Sequence, residues 1–177
     1  MMTFRETRVA GAFVIEAERH EDERGFFART FSAEELGGHG LDGRVAESSL
    51  AYNPAAFTLR GLHYQRPPHE ETKLVRCTRG SVYDVVVDLR DHSATRLHWD
   101  AVELSDENRL ALYVPEGCAH GYLTLTDASE LTYLISHPYV EEAAAGVRWD
   151  DPLIGIQWPA APTVIGARDA SYPDLVA

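Results

Sequence analysis

Short apolar runs separated by turn residues make up most of this chain. From residue 45 onward the runs are rich in β-branched and aromatic residues, which is typical of strands. The predicted strands are Val45–Tyr52, Thr58–Gln65, Lys73–Arg79, Val82–Leu89, Leu97–Leu104, Arg109–Val114, His120–Leu125, Glu130–Ser136 and a tail around Val164. Gly80-Ser81, between two of them, is predicted as a tight hairpin turn. Many short antiparallel strands with Gly and Pro turns predict a mainly β sandwich or jelly roll.

The first 44 residues show a less regular pattern. Val9–Glu16 is predicted as a strand, and Phe26–Phe31 as an edge or extended segment. Ser32–Gly37 predicts a short helix. Its N-cap is Ser32, and Glu35 stands at the position that completes a capping box.

The segment from residue 59 to residue 76 carries the candidate chemistry. Side chains alternate between the faces of a strand, so Arg60 is predicted on one face and His63 on the other. Lys73 begins the next predicted strand, and Gly61 leaves room for a ligand to approach the backbone. Histidine is the usual side-chain base near neutral pH. The segment therefore predicts a sheet-lined cavity for an anionic ligand and proton transfer, in which His63 and Lys73 meet and arginines lie near the rim.

Length and composition are those of one globular domain. The 177 residues, 45% hydrophobic and 25% charged, predict a single jelly-roll domain over residues 1–177. The net charge of −12 argues against a nucleic-acid surface, which needs a basic stripe. A phosphorylated small ligand stays compatible with this charge, because a pocket can be basic inside an acidic protein. The residues predicted to form such an interior patch are Arg24, Arg60, Lys73 and Arg76.

The cysteines and the N-terminal residues predict in which cellular compartment the protein is located. Cys77 and Cys118 are the two cysteines, and neither belongs to a CxxC or Cys/His cluster, so no disulfide framework is expected. The first residues lack the apolar run of a signal peptide. No segment approaches the roughly 20 apolar residues that span a membrane. We therefore expect a cytoplasmic protein without a membrane partner.

A series of blocks, in order along almost the whole chain, resembles the dTDP-4-dehydrorhamnose 3,5-epimerase family. The blocks are Arg24–Phe27, Leu59–Gln65, Pro67–His69, Lys73–Arg76, Asp84–Arg90, Val102–Asn108, Pro115–Gly121, Trp149–Pro152 and Gly155–Pro159. The resemblance implies a cupin-type antiparallel jelly roll with short flanking helices. It also implies a cofactor-independent epimerase of deoxysugar biosynthesis that acts on a nucleotide-linked 4-keto-6-deoxyhexose. A homodimer with exchanged N-terminal strands is the implied assembly.

The resemblance also implies four catalytic roles. His63 is the base that removes a proton next to the ketone, and Asp169 is the carboxylate that orients it. Lys73 stabilises the enolate oxygen, because a fixed cation in a dry pocket favours developing negative charge. Tyr133 returns a proton to the opposite face of the ring. Simpler interpretations exist for three of these residues. Asp169 could be a turn residue, Lys73 an exposed lysine on a strand and Tyr133 a half-buried aromatic residue of the sheet.

Six further residues are predicted to bind the substrate. They are Arg24, Phe27, Arg29, Arg60, His120 and Tyr139. A guanidinium group binds two phosphate oxygens in a bidentate contact, so Arg24 and Arg60 are the candidates for binding the diphosphate. The alternative is that each forms an ion pair at the surface. His120 is equally compatible with structural packing. Arg29 stands where the family commonly has glutamate.

Three questions stay open at this level. The family pattern Gln-x-Asn, which holds the thymine nucleotide, is replaced by Glu47–Leu50, so CDP or another nucleotide is an alternative to dTDP. The sequence also leaves open whether the reaction inverts C3, C5 or both centres of the sugar. The rival functions are a 3,4-ketoisomerase of the same substrates and a non-catalytic sugar-nucleotide-binding cupin.

Metal-dependent chemistry is disfavoured by the histidine pattern. Metal-binding cupins cluster their ligands, often with two histidines one residue apart and a carboxylate nearby. Here His63 is followed by Tyr64 and Gln65, without the second histidine. We therefore expect neither a metal nor another cofactor.

Overall fold

The computed structural model describes residues 1–176, and strands dominate it. The strands are β1 (Met2–Glu6), β2 (Phe13–Ala17), β3 (Arg19–Asp22), β4 (Gly25–Ala28), β5 (Glu47–Asn53), β6 (Thr58–Gln65), β7 (Lys73–Arg79), β8 (Ser81–Asp88), β9 (Trp99–Ser105), β10 (Ala111–Val114), β11 (Cys118–Thr124), β12 (Ser129–Ile135), β13 (Ala144–Gly146) and β14 (Val164–Ile165). The helices are α1 (Ala33–Gly38) and α2 (Ala167–Ala170). Among these residues no helix has the length and apolar character needed to cross a membrane.

Two antiparallel sheets form the body of the fold. The first sheet has the strand order β1-β2-β10-β7-β12-β5, and the second has the order β13-β6-β11-β8-β9. β14 pairs in parallel with the start of β6, and β3 and β4 form a separate hairpin. The predicted mainly β, antiparallel jelly roll with short helices is confirmed.

The main core lies between the two sheets. Buried side chains meet there from the first sheet, such as Val75 and Leu112, and from the second sheet, such as Val86 and Tyr122. Burying an aliphatic side chain contributes roughly 1.5–3 kcal/mol. The functional side chains described below enter the same space between the sheets.

The outer faces of both sheets are covered as well. Leu36 of α1 packs with Ile15 and Tyr113 on the outside of the first sheet. Ile154 and Ile156, from the segment after β13, pack on the outside of the second sheet. This packing holds the C-terminal segment in place, and it therefore fixes the position of α2.

Most predicted strands lie within two residues of the observed ones, but the N-terminal part differs. The predicted strand Val9–Glu16 is observed only from Phe13. Val9 lies in a turn instead, because the Ala12 N–H donates to its carbonyl oxygen, and Gly11 adopts the left-handed conformation with φ +79°. The sequence does not predict β1, β3 and β13, because strands of three to five residues carry little hydrophobic periodicity.

Gly80 is a crossover between the sheets, so the predicted hairpin turn is wrong. It follows β7, which pairs with β10 and β12, and it precedes β8, which pairs with β9 and β11. Gly80 has a φ of +74°, and a Cβ there would lie 2.5 Å from Thr126 Oγ1. The local turn signal was correct, but the pairing depends on partners that are distant in sequence.

Helix α1 begins as predicted, but the capping box is incomplete. Ser32 is the N-cap, and its hydroxyl accepts the N–H of Glu35 at 3.3 Å. The Glu35 carboxylate accepts the N–H of Met2 at 2.6 Å. Glu35 therefore connects β1 to the helix. In a complete capping box its carboxylate would accept the backbone N–H of the N-cap residue instead.

Candidate active site

A bulge in β6 decides which side chains reach the space between the sheets. His63 pairs with His120 of β11, and Arg60 pairs with Tyr122. Three residue steps on β6 therefore match two on β11, so β6 holds one extra residue at Gly61-Leu62. Paired residues share a face of the sheet. Arg60 and His63 consequently lie on the same inner face, and the prediction of opposite faces is wrong.

Gly61 is required by the close approach of β6 to β11. It adopts a φ of +130°, and a Cβ on it would lie 2.5 Å from the Cα of Gly121. Neither the conformation nor the distance accommodates a larger residue. The N–H of Gly61 donates to Oδ2 of Asp169 at 3.0 Å. The bulge thus also supplies a hydrogen-bond donor to the site.

His63 and Asp169 form a hydrogen-bonded pair. Nε2 of His63 lies 2.7 Å from Oδ1 of Asp169, which belongs to α2. Burial acts to raise the pKa of Asp169, but the hydrogen bonds from His63 and Gly61 outweigh it and lower that pKa. The side chain of Asp169 is 11% exposed, whereas that of His63 is 41% exposed. With Nε2–H donating to the carboxylate, Nδ1 of His63 carries the free lone pair.

Lys73 lies beside this pair at the start of β7. Its Nζ donates to the backbone oxygen of His63 at 3.1 Å and lies 2.9 Å from Oε1 of Glu71. The lysine side chain is 11% exposed. The structure therefore brings the predicted base and the predicted cation together, although β6 and β7 belong to different sheets.

His63 and Lys73 line one cavity. Its volume is about 210 Å³. The residues that line it are Glu47, His63, Tyr64, Gln65, Glu71, Lys73, Ile135, His137, Tyr139, Ala144, Ala145 and Arg168. Tyr139 is 59% exposed, and its N–H donates to Oε1 of Glu47 at 3.3 Å. Tyr139 and Glu47 therefore stand at the mouth of the cavity.

Tyr133 enters the interior from the sheet opposite His63. It belongs to β12, pairs with Val75, and packs against the main core. Its ring contacts the ring of His120 edge-on, with centroids 5.9 Å apart. Burial around the hydroxyl, together with the nearby Tyr122 and Asp84, raises the pKa of Tyr133 well above its ordinary value. The phenol therefore keeps its proton at neutral pH.

His120 is buried against Asp84. Its Nε2 lies 2.8 Å from Oδ1 of Asp84, while Oδ2 of Asp84 is buried without a hydrogen-bond partner among residues 1–176. Burial raises the pKa of Asp84, and His120 acts in the opposite direction. His120 is thus the inner neighbour of His63 on the next strand.

Arg60 lies at the open side of the interior. It is solvent-exposed, and its Nε donates to Oδ1 of Asn53 at 2.9 Å. The same oxygen accepts the hydroxyl of Tyr122 at 3.2 Å. The guanidinium is therefore held next to the tyrosines and remains accessible to a ligand.

Of the six predicted substrate-binding residues, Tyr139 lines this cavity and the other five do not. Arg60 and His120 occupy the positions described above, and the remaining three lie on or next to the β3–β4 hairpin. Arg24, in the turn between β3 and β4, forms an ion pair with Asp22 in an exposed position. Phe27 is 72% exposed on β4, and Arg29 follows it. Within one chain the structure does not bring these residues to His63.

Arg76 also lies outside the cavity. It faces away from the interior on β7, and its guanidinium donates to the backbone oxygens of Arg109 and Thr30. Within one chain, the prediction of an interior basic patch that contains Arg24 and Arg76 is therefore wrong. Lys73 lies in the interior and Arg60 at its open side.

The chain matches one protein family over nearly its whole length. The family model described as dTDP-4-dehydrorhamnose 3,5-epimerase matches residues 6–177. The enzyme of that name from Methanothermobacter thermautotrophicus is 44% identical over 175 residues, which cover 97% of this chain and 94% of the relative. The chain belongs to the dTDP-4-dehydrorhamnose 3,5-epimerase family.

Solved structures agree with this assignment. The dTDP-4-dehydrorhamnose 3,5-epimerase of Bacillus anthracis, with TDP and PPi bound, superposes with a TM-score of 0.94 at 34% identity and covers 99% of this chain and 100% of its own. A 3'-monoepimerase from Streptomyces bikiniensis in complex with dTDP-quinovose gives a TM-score of 0.85 at 34% identity, covering 94% and 84%. The predicted family and the predicted epimerase activity are confirmed.

In this member of the dTDP-4-dehydrorhamnose 3,5-epimerase family, several site residues were not predicted. Glu71 and Arg168 line the cavity, while the buried Asp84 and Asn53 are hydrogen-bonded to His120 and Arg60, respectively. Asp84 did carry a signal, since an acid within a strand of buried valines needs a buried partner. For Glu71 the alternation of β7 gave no indication, because the residue precedes the strand.

The described part of the epimerase chain has no ready metal site. Within residues 1–176, no group of three or more His, Cys, Asp and Glu side chains is arranged to hold a metal ion. His63 and His120 are each hydrogen-bonded to a carboxylate, as described above. A cofactor-independent reaction stays a prediction.

Proposed function

We propose that this protein inverts C3, C5 or both centres of a dTDP-linked 4-keto-6-deoxyhexose through an enolate. The observation that carries the proposal is the cavity that His63 and Lys73 line, with Asp169 hydrogen-bonded to His63 and Tyr133 on the opposite sheet. The bound TDP and dTDP-quinovose of the related structures support a thymidine nucleotide.

His63 is the proposed base. Its Nδ1 removes the proton from the carbon next to the C4 ketone, and the electron pair of the broken C–H bond moves to O4 to form the enolate. Oδ1 of Asp169 accepts the hydrogen bond from Nε2–H, with Nε2 and Oδ1 2.7 Å apart, and the carboxylate stabilises the imidazolium that results. Lys73, whose side chain is 11% exposed, donates a hydrogen bond to O4, where the negative charge develops.

Tyr133 is the proposed acid. Its phenol donates a proton to the ring carbon from the face opposite His63, so the enolate returns to a ketone with inverted configuration. The raised pKa keeps the phenol protonated in advance of this step. A 3,4-ketoisomerase needs a base and a proton shuttle on one face, so an acid across the interior favours the epimerase. A non-catalytic binding cupin needs neither group.

The β3–β4 hairpin supports a homodimer with exchanged N-terminal strands. Arg24 and Phe27 are exposed on the hairpin and lie outside their own cavity. β1 and β2 form one edge of the first sheet, where strands of a second copy are able to pair. We propose that the hairpin of one protomer, together with Arg29 that follows it, completes the nucleotide site of its partner. Arg60 is the diphosphate ligand that the partner itself contributes to that site.

The dimer proposal has a direct test. A His63→Ala protomer and an Arg24→Ala protomer are each expected to be nearly inactive. Mixing and refolding them should restore about a quarter of the wild-type sites if the hairpin acts on its partner, because one site of each hybrid then holds both native residues. No restoration, together with a monomer in sedimentation velocity, would refute the exchange. A cytoplasmic location stays a prediction.

The reaction is tested by proton NMR of dTDP-4-keto-6-deoxyglucose in heavy water, alongside the CDP analogue. Deuterium at C3 or C5 is expected and identifies the centres that are activated. The comparison of the two nucleotides tests the base, since Glu47 replaces a polar amide of the family pattern at the cavity mouth. Wild-type protein that exchanges neither substrate would contradict the proposed function. His63→Ala is expected to abolish exchange and to retain nucleotide binding.

A further inference from the structure

The loop before β7 carries a buried carboxylate that the mechanism above does not use. Glu71 is 8% exposed and lines the same cavity as His63 and Lys73. Its Oε1 lies 2.9 Å from Nζ of Lys73. Its Oε2 is buried and has no hydrogen-bond partner among residues 1–176.

A purely structural role does not account for this arrangement. Taking a carboxylate out of water is costly unless its oxygens are hydrogen-bonded, and buried polar atoms in folded proteins nearly always are. Half of the hydrogen-bonding capacity of Glu71 is left unused by the protein. A buried ion pair of this kind contributes little net stability and is often replaceable by apolar residues. Its position in the cavity therefore indicates a role in the reaction.

The geometry of the lysine head group shows what that role is. An ammonium group has three N–H donors. On Lys73 one points to Oε1 of Glu71 and a second to the backbone oxygen of His63 at 3.1 Å. Two fixed donors prevent rotation about the Cε–Nζ bond, so the third N–H has a single direction. Lys73 also lines the cavity, so a ligand bound there lies next to the ammonium group.

We propose that Glu71 is a positioning residue that aims the free N–H of Lys73 at O4 of the keto sugar. The inference rests on the proposed function of Lys73 and deepens it. A donor that is oriented before the reaction needs no reorganisation when the enolate forms, and this preorganisation is the main source of electrostatic catalysis. The carboxylate also balances the ammonium charge, so that a neutral ketone enters a cavity close to neutrality.

Glu71→Ala tests the proposal. Displacing a catalytic group by about 1 Å can cost on the order of 100-fold in rate, so kcat for deuterium incorporation should fall by about that factor while the Kd for dTDP stays within about two-fold. Glu71→Gln keeps an oxygen that accepts from Lys73, and we expect it to recover at least about ten-fold over Glu71→Ala. The matched control is Glu70→Ala, since Glu70 is the adjacent residue but lines a different cavity with Arg90 and Tyr113.

A double-mutant cycle separates positioning from an independent effect. If Glu71 acts only through Lys73, then Lys73→Ala/Glu71→Ala should be no slower than Lys73→Ala. Multiplicative losses would overturn the proposal, as would a Glu71→Ala enzyme with kcat within about two-fold of wild type. Should Glu71→Ala not fold, the near-isosteric Glu71→Gln alone and on the Lys73→Ala background supplies the same comparison. A wild-type protein without deuterium incorporation would instead refute the proposed function, and the role of Glu71 with it.

Discussion

Replacing Asp169 by asparagine tests the proposed base most directly, because the change turns one carboxylate oxygen into an NH₂ group at the same place. In the wild type both oxygens accept hydrogen bonds, Oδ1 from Nε2–H of His63 and Oδ2 from the N–H of Gly61. An amide offers one acceptor and one donor in these two positions. Either orientation of the asparagine therefore breaks one of the two contacts.

The two orientations have different consequences, and both reduce activity. If the amide oxygen faces Gly61, the NH₂ group faces Nε2 of His63, which must then accept. The ring proton moves to Nδ1, the atom that has to act as the base. If the amide is turned around, its NH₂ faces the Gly61 N–H, and an unsatisfied buried donor costs about 1–3 kcal/mol. The same tautomer effect costs about 10⁴-fold in a serine-protease triad. We expect a loss of about 10³–10⁴-fold in kcat for Asp169→Asn.

The assay is the rate of deuterium incorporation at C3 and C5, with dTDP binding and thermal unfolding measured in parallel. Asp150→Asn is the matched control, because Asp150 pairs with Arg148 in a partly exposed position and does not line the cavity. It should retain wild-type activity. A folded Asp169→Asn enzyme within about ten-fold of the wild-type rate would refute the assignment of Nδ1 as the base.

Three further predictions follow from the same geometry. Tyr133→Phe should still exchange protons on the His63 face but should not invert, at least at one centre, which NMR of the recovered sugar will show. Gly61→Ala should lose most of its stability and activity, because the new Cβ would lie 2.5 Å from the backbone of β11; a melting temperature equal to wild type would contradict this. Burial would raise the pKa of Asp88, but hydrogen bonds from Arg90 and neighbouring hydroxyls hold that pKa well below its usual range. A depressed carboxyl pKa stabilises the fold above the unfolded value of about 3.9, so Asp88→Asn should reduce unfolding free energy at pH 7, and the difference should shrink in urea titrations as pH falls into the acid range.

The strands were predictable from sequence because they are local, whereas their partners were not. Thr58–Gln65 and Lys73–Arg79 were predicted at the residues where they are observed, since each is an apolar run of strand length. The sequence predicts a hairpin turn at Gly80 because a glycine between two such runs has the same local signature at a hairpin and at a crossover. Only the partners of β7 and β8, which are distant in sequence, distinguish the two.

In the site too, several residues were predictable from the sequence, whereas their contacts depend on segments that are distant in sequence. The resemblance named Asp169, and its pairing with His63 became visible only through the C-terminal segment that carries α2 to the end of β6. The alternation rule placed His63 and Arg60 on opposite faces because it assumed a regular strand. One extra residue at the bulge reverses that conclusion, and a bulge depends on the fit of Gly61 against Gly121 rather than on the pattern within β6.

Two histidine–aspartate pairs stand side by side on β6 and β11, and their surroundings decide which one is the base. His63 and His120 are register partners, and each holds a carboxylate at Nε2. The side chain of His63 is 41% exposed and lines the cavity, whereas that of His120 is 5% exposed. A base must reach the substrate, so the exposure selects His63. Removing His120 would leave Asp84 buried without its partner, which costs about 3–5 kcal/mol. The His120–Asp84 pair therefore stabilises the interior against which Tyr133 packs. The His63–Asp169 pair is accessible to the substrate and is able to exchange protons with the sugar ring.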